Sequence, residues 1–137
     1  MNLDFETDIK ISENIAYEWN RQSELFMIYG LEFVNASQRR DKAKERLDYI
    51  AAELDEQFRK QADSDGSKIT EKALANKIVN DGRYRKANKE YIEAKSDEGK
   101  WLIVKTAFEH RKKALEYKAQ FMINGMFSTP RDRRKDE

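Results

Sequence analysis

Between Ile15 and Leu54 the chain reads IAYEWNRQSELFMIYGLEFVNASQRRDKAKERLDYIAAEL, and this stretch decides the fold. Steps of alternately four and three residues from Ile15 meet Trp19, Gln22, Phe26, Tyr29, Phe33, Ala36, Arg40, Ala43, Leu47, Ile50 and Leu54, all apolar except Gln22 and Arg40. A mean spacing of about 3.5 residues is that of a coiled-coil seam. Ser12 has the chemistry of an N-cap, and the pattern fades near Ala62, before Asp63-Ser-Asp-Gly-Ser67, which is turn chemistry. The spacing therefore predicts a long helix over 13–62, following an acidic arm over 1–12. No proline interrupts this helix, and its one glycine, Gly30, costs only about 1 kcal/mol.

Beyond a turn at 63–69 a second pattern begins. Thr70 can cap a short helix over 70–81 carrying Leu74 and Ile78, with Asn80-Asp81-Gly82 as its end or as a joint. From Tyr84 the same walk gives Ala87, Tyr91, Ala94, Glu98, Trp101, Lys105, Phe108, Lys112, Leu115, Ala119, Met122 and Met126. This predicts a second long helix over 82–127, stopped by Ser-Thr-Pro130. The segment 128–137, without an apolar residue beyond Pro130, is expected to be a disordered charged tail. The fold class expected is all-α: a long antiparallel helical hairpin, coiled-coil-like, with a short extra helix near the turn.

Composition agrees. Of the 137 residues, 39% are charged, against about a quarter in ordinary globular chains. A compact α/β enzyme is disfavoured on that ground. The net charge of +1 conceals an asymmetry: residues 1–32 hold seven acids and two bases, a balance of −5, so the remainder carries +6. An acidic arm before a basic body points to a polyanionic partner, although solvated helix faces also produce such charge density. There is no cysteine, which fits a reducing compartment. The opening residues lack the basic region of a signal peptide, and the most apolar run, Leu25 to Val34, is far shorter than the roughly 20 residues that span a bilayer. The expectation is a cytoplasmic protein with no membrane partner.

Two helices cannot enclose a core by themselves, so apolar side chains outside their mutual seam need another surface. The surplus lies at the end away from the turn, in Leu25 to Val34 and Phe121 to Phe127. Self-association through Phe26, Tyr29, Phe33, Phe121, Met122 and Met126 would cover it, giving a homo-oligomer. The alternative is a monomeric bundle in which residues 1–14 or 70–80 fold over the patch.

Catalytic constellations are scarce. His110 is the only histidine, and Arg111, Lys112 and Lys113 beside it read as a solvated helical face. No phosphate-binding loop precedes Gly99-Lys100, and carboxylate pairs such as Glu53 with Glu56 are ordinary helix surface. Neither an enzyme nor a bound cofactor or metal is expected. The cations are more informative. Arg39, Arg40, Lys42, Lys44 and Arg46 fall within eight residues, and Arg83, Arg85 and Lys86 are interleaved with Tyr84 and Tyr91. Reachable cations bind backbone phosphates, and interleaved rings can stack bases of a single strand. Tyr84 and Tyr91 nevertheless occupy seam positions, which favours the core for both.

The stretch Lys44-Glu-Arg-Leu-Asp-Tyr49 resembles the Lys-x-Arg-Leu-Asp-Tyr segment of the UvsY-like recombination mediators of tailed phages. The preceding helix rich in Tyr, Trp and Met, the Gly/Asp/Ser turn, Arg83-Tyr-Arg-Lys86 and Trp101-Leu-Ile-Val-Lys105 agree with it, over roughly residues 15–127. The resemblance implies a ring-like homo-oligomer without enzymatic activity that binds single-stranded DNA. It also implies loading of a RecA-like recombinase onto strands covered by single-stranded-DNA-binding protein, in the host cytoplasm if the chain is phage-encoded. Lys44 and Arg46 would then meet phosphates. The competing expectation is a coiled-coil structural or assembly protein whose charges only keep long helices soluble.

Overall fold

A computed structural model describes residues 3–132, with side chains described as far as residue 125. The described residues are all-helical, in four elements: α1 Phe5–Asp8, α2 Ile15–Ser64, α3 Glu71–Asn80 and α4 Gly82–Asp132. They form two compact units: residues 3–33 with 101–132, and residues 34–100.

The helix ends follow local chemistry. Asn14 opens α2, its side chain accepting from the Tyr17 N–H at 3.1 Å. At the far end Ser67 N–H donates to the Ala62 carbonyl at 3.0 Å and Gly66 N–H to Asp63 at 3.1 Å. This paired closure places Gly66 at φ +66°, the left-handed region that costs glycine nothing. Thr70 caps α3, accepting from the Ala73 N–H at 3.1 Å. Replacing such a cap by alanine typically costs about 1 kcal/mol, so Thr70→Ala is expected to lower the urea midpoint by that equivalent without changing the slope. Asp81 then receives the Arg83 N–H at 2.9 Å and starts α4. Residues 128–132, expected above in a tail, belong to α4. Proline biases a helix toward ending but does not forbid its passage. Residues 133–137 lie outside the described residues.

The buried stripe departs from the heptad walk in a regular way. Gln22, Tyr29, Ala36, Leu47 and Leu54 are buried as expected, yet Glu18 and Leu25 are buried where the walk placed Trp19 and Phe26. An undistorted helix has about 3.6 residues per turn, so a strict 3.5 repeat drifts by about 20° per heptad. Counting back ten turns from Leu54, about 36 residues, reaches Glu18; the heptad step reaches Trp19. On α4 Val104 and Arg111 are buried in place of Lys105 and Lys112, four rather than three residues before Phe108 and Leu115, which stay on the stripe with Ala87.

In the first unit Leu25, Tyr29, Val104 and Phe108 form the core, with Leu3, Ile9, Ile28 and Trp101 packed against it. Tyr29 stacks on Phe108 at 4.3 Å between ring centroids and lies 6.3 Å from Trp101. Leu3 and Ile9 come from the acidic arm, which is thus a packed element that covers part of the apolar surplus. The second unit buries smaller groups: Ala36, Leu47, Leu54, Leu74 and Ala87. Arg59 ties α2 to α3 there, pairing with Asp55 at 2.7 Å and Glu71 at 2.9 Å.

Candidate nucleic-acid interface

All eight cations expected at the DNA site lie in the second unit. The burial of Leu47 on α2 sets their geometry, turning Lys42, Lys44 and Arg46 outward. Five of the eight are held by acids. Arg39 donates to Asp97 at 3.0 Å, and Arg40 to Glu98 and Asp41, both at 2.7 Å. Lys44 pairs with Asp48 at 3.1 Å, and its ammonium stands 5.5 Å above the Tyr91 ring. Arg46 approaches Glu90 only to 3.8 Å, beyond hydrogen-bonding reach. Arg83 bonds Asp81 at 3.1 Å and Gln57 at 3.1 Å. Among the described residues, Lys42, Arg85 and Lys86 are exposed and make no ion pair.

The carboxylate partners shift these groups toward their charged forms. The hydrogen bond to Asp48 raises the Lys44 ammonium above its ordinary value, and Asp41 does the same for Arg40. Asp81 raises Arg83 in turn. Exposed pairs of this kind contribute little and are screened by salt, so an incoming phosphate can replace the carboxylate. Lys44 and Arg46 are two residues apart, which on a helix separates them by about 200°. Both nonetheless stand against consecutive α4 residues, Tyr91 and Glu90, on either side of the buried Leu47. Tyr84 and Tyr91 are half-buried, so neither offers a free ring face.

Of the residues assigned to self-association, Phe121 is 81% exposed, and Phe26 and Met122 are exposed as well. Phe33 is half-buried with the Lys105 ammonium 5.2 Å over its ring. Tyr29 is 0% exposed and belongs to the unit's own core, because the seam turns it toward Phe108. The Met126 side chain lies outside the described residues. The exposed Trp19 and Phe26 also line a cleft of about 670 Å³ bordered by Glu109, Lys112, Lys113 and Glu116.

The feature that sequence reasoning missed is a buried polar clasp in the first unit. Arg111 was expected in a solvated face, yet its side chain is 1% exposed and forms an ion pair with Glu18, itself 2% exposed. It also donates to Gln22 Oε1 at 2.8 Å and to the Ile9 and Lys10 carbonyls, each at 3.2 Å. Gln22 in turn donates to the Phe108 carbonyl at 2.8 Å. Burial lowers the Arg111 pKa from a value so high that the guanidinium stays charged. Asp8 adds a second tie from the arm, accepting from the Tyr29 hydroxyl at 2.7 Å and from Arg21 at 3.1 Å. Gln22, the one polar position in the seam before Arg40, was the available signal, because a buried amide requires partners.

Among the described residues, no cluster of three or more His, Asp or Glu is placed to hold a metal ion. Among the same residues, no helix is long and apolar enough to cross a membrane. Comparisons of the chain with family models, with curated proteins and with solved structures give no match.

Proposed function

We propose that the protein is an oligomeric single-stranded-DNA-binding recombination mediator of the UvsY-like kind, which helps load a RecA-like recombinase onto strands covered by single-stranded-DNA-binding protein. The observation that carries this reading is the disposition of Lys44 to Tyr49. Leu47 is buried while Lys44 and Arg46 stand outward, with Lys42 unpaired beside them. Repeating such a face in each copy supplies an avidity that a few cations on one copy lack. The exposed Phe26, Phe121 and Met122 favour self-association.

Fluorescence anisotropy of a labelled oligonucleotide at about 50 mM salt tests this reading. Binding is expected, with a log–log salt slope of about −0.7 per phosphate neutralised. Lys44→Ala with Arg46→Ala is expected to weaken binding and to flatten the slope by about 1.4 per site. Asp48→Asn should tighten binding, because it frees the Lys44 ammonium. No binding by the unaltered protein would remove the function. Binding that the double variant leaves unchanged would remove the site. A second reading, a structural coiled-coil protein without DNA binding, is favoured by the Arg39–Asp97 and Arg40–Glu98 pairs, which spend cations on joining α2 to α4. It predicts oligomers in light scattering and no anisotropy change.

A further inference from the structure

Tyr49 is the one aromatic of the second unit that is largely exposed: 66% of it is open to solvent, and no ring or hydrogen-bond partner is found among the described residues. Exposing a tyrosine this far on a helix leaves an apolar ring face in water with nothing gained in the fold. On its N-terminal side two cations share its face with one acid, the exposed Glu45. Arg46, three residues before it, and Lys42, seven before it, share its helix face. Lys42 is unpaired, and the 3.8 Å gap to Glu90 leaves the five N–H donors of Arg46 without a hydrogen bond. On the other side stands Glu53, whose charge lies close enough to Arg83 to raise the latter's pKa. With Lys42 and Arg46 against Glu45, the N-terminal side of Tyr49 carries the net positive charge of this face, and Glu53 the negative one.

We infer that Tyr49 is a stacking platform for one nucleobase of a single strand, with Arg46 and Lys42 holding the adjoining phosphates. This rests on the DNA-binding reading above. It moves the stacking role away from Tyr84 and Tyr91, whose rings are half-buried, to a residue whose open face matches what sequence-tolerant binding uses. A flat ring beside a guanidinium whose N–H donors make no hydrogen bond also suits a base and its phosphate together, since every base has a π-face and each phosphate a negative charge.

The test compares Tyr49→Ala, Tyr49→Phe and Tyr49→Trp for binding to an oligothymidylate and to the same length of abasic strand, by anisotropy. For Tyr49→Ala the affinity for oligothymidylate should fall by roughly 5- to 100-fold, the range of one lost stack. The salt slope should not change, because no phosphate contact is lost. Tyr49→Phe and Tyr49→Trp should bind as the unaltered protein does. Removing the bases should weaken the unaltered protein by a similar factor and leave Tyr49→Ala nearly indifferent. The mass of Tyr49→Ala by light scattering should be that of the unaltered protein. If the unaltered protein binds and Tyr49→Ala binds equally well, or still discriminates against the abasic strand, the platform is overturned while the DNA reading stands. A reduced mass would overturn it too, by making Tyr49 an assembly contact. If the unaltered protein binds neither strand, the DNA reading itself fails.

Discussion

Arg111→Ala is expected to lower the melting temperature by roughly 10–20 °C, followed by circular dichroism at 222 nm. The guanidinium serves four acceptors at once: the Glu18 carboxylate, Gln22 Oε1 and the carbonyls of Ile9 and Lys10. Its removal strands a buried carboxylate, and breaking one side of such a pair costs about 3–5 kcal/mol. A chain of this size loses about 3–5 °C per kcal/mol. The residues facing the clasp offer Glu18 only Ser12 at 3.2 Å and Arg21 at 3.5 Å in compensation, and Arg21 is already shared with Asp8. Arg111→Lys should be nearly as damaging, since one ammonium cannot reproduce a planar fork reaching both the arm and α2. Adding Glu18→Leu to Arg111→Ala should recover part of the loss, because no charge is then left stranded. An Arg111→Ala protein that melts with the unaltered one would show that the clasp does not hold the first unit together.

The clasp also marks where sequence reading stopped. The ends around the turn were legible because their chemistry is local: Thr70 caps α3 through the residue three positions on, and Gly66 supplies the left-handed turn that closes α2, whereas the cap expected at Ser12 is made by Asn14 and α4 runs past the end expected at 127. The seam was legible where heptad and helix agree, as at Tyr29, Leu47, Leu54 and Phe108; it was lost by one residue at Glu18 and Leu25, where about 20° per heptad had accumulated, and at Val104 and Arg111, where the buried side chains stand four residues before Phe108 and Leu115 and the walk stepped back three. That single step turned a buried arginine into an apparent member of a solvated Arg-Lys-Lys run. The arm's contacts were out of reach for another reason, since Arg111 and the Ile9 carbonyl are 102 positions apart. The same holds at the candidate interface. Its cations are conspicuous in the sequence, but their pairing with Glu90, Asp97 and Glu98 across α4 depends on the register between two helices, which composition does not carry.

Tyr29 separates a core residue from an assembly residue, and its substitution has the other large expected effect. If it sat at an interface between copies, Tyr29→Ala would dissociate an otherwise folded chain. Because it is fully buried between Phe108 and Trp101, truncation should instead cost about 3–5 kcal/mol of folding stability, the usual range for a buried aromatic. Tyr29→Phe isolates the hydroxyl. It keeps both stacks and loses the 2.7 Å bond to Asp8, a cost of about 1–2 kcal/mol near neutral pH. Burial first, and then the hydrogen bond and the charges of Asp8 and Asp4, push this hydroxyl well above the ordinary tyrosine value of 10.0, with Arg21 opposing weakly. The folded pKa is raised, so the folded protein keeps a proton that the unfolded chain gives up. The stabilisation is therefore fully present below pH 10 and is lost as pH rises beyond it, at up to about 1.4 kcal/mol per pH unit. All other groups are common to both proteins and cancel in the difference. Urea midpoints at pH 8 and pH 11 should accordingly show the gap between unaltered protein and Tyr29→Phe shrinking or reversing at the higher pH. A gap that stays constant would mean that the hydroxyl is not held protonated against Asp8, and with it would fall the tie that fastens the acidic arm to the core.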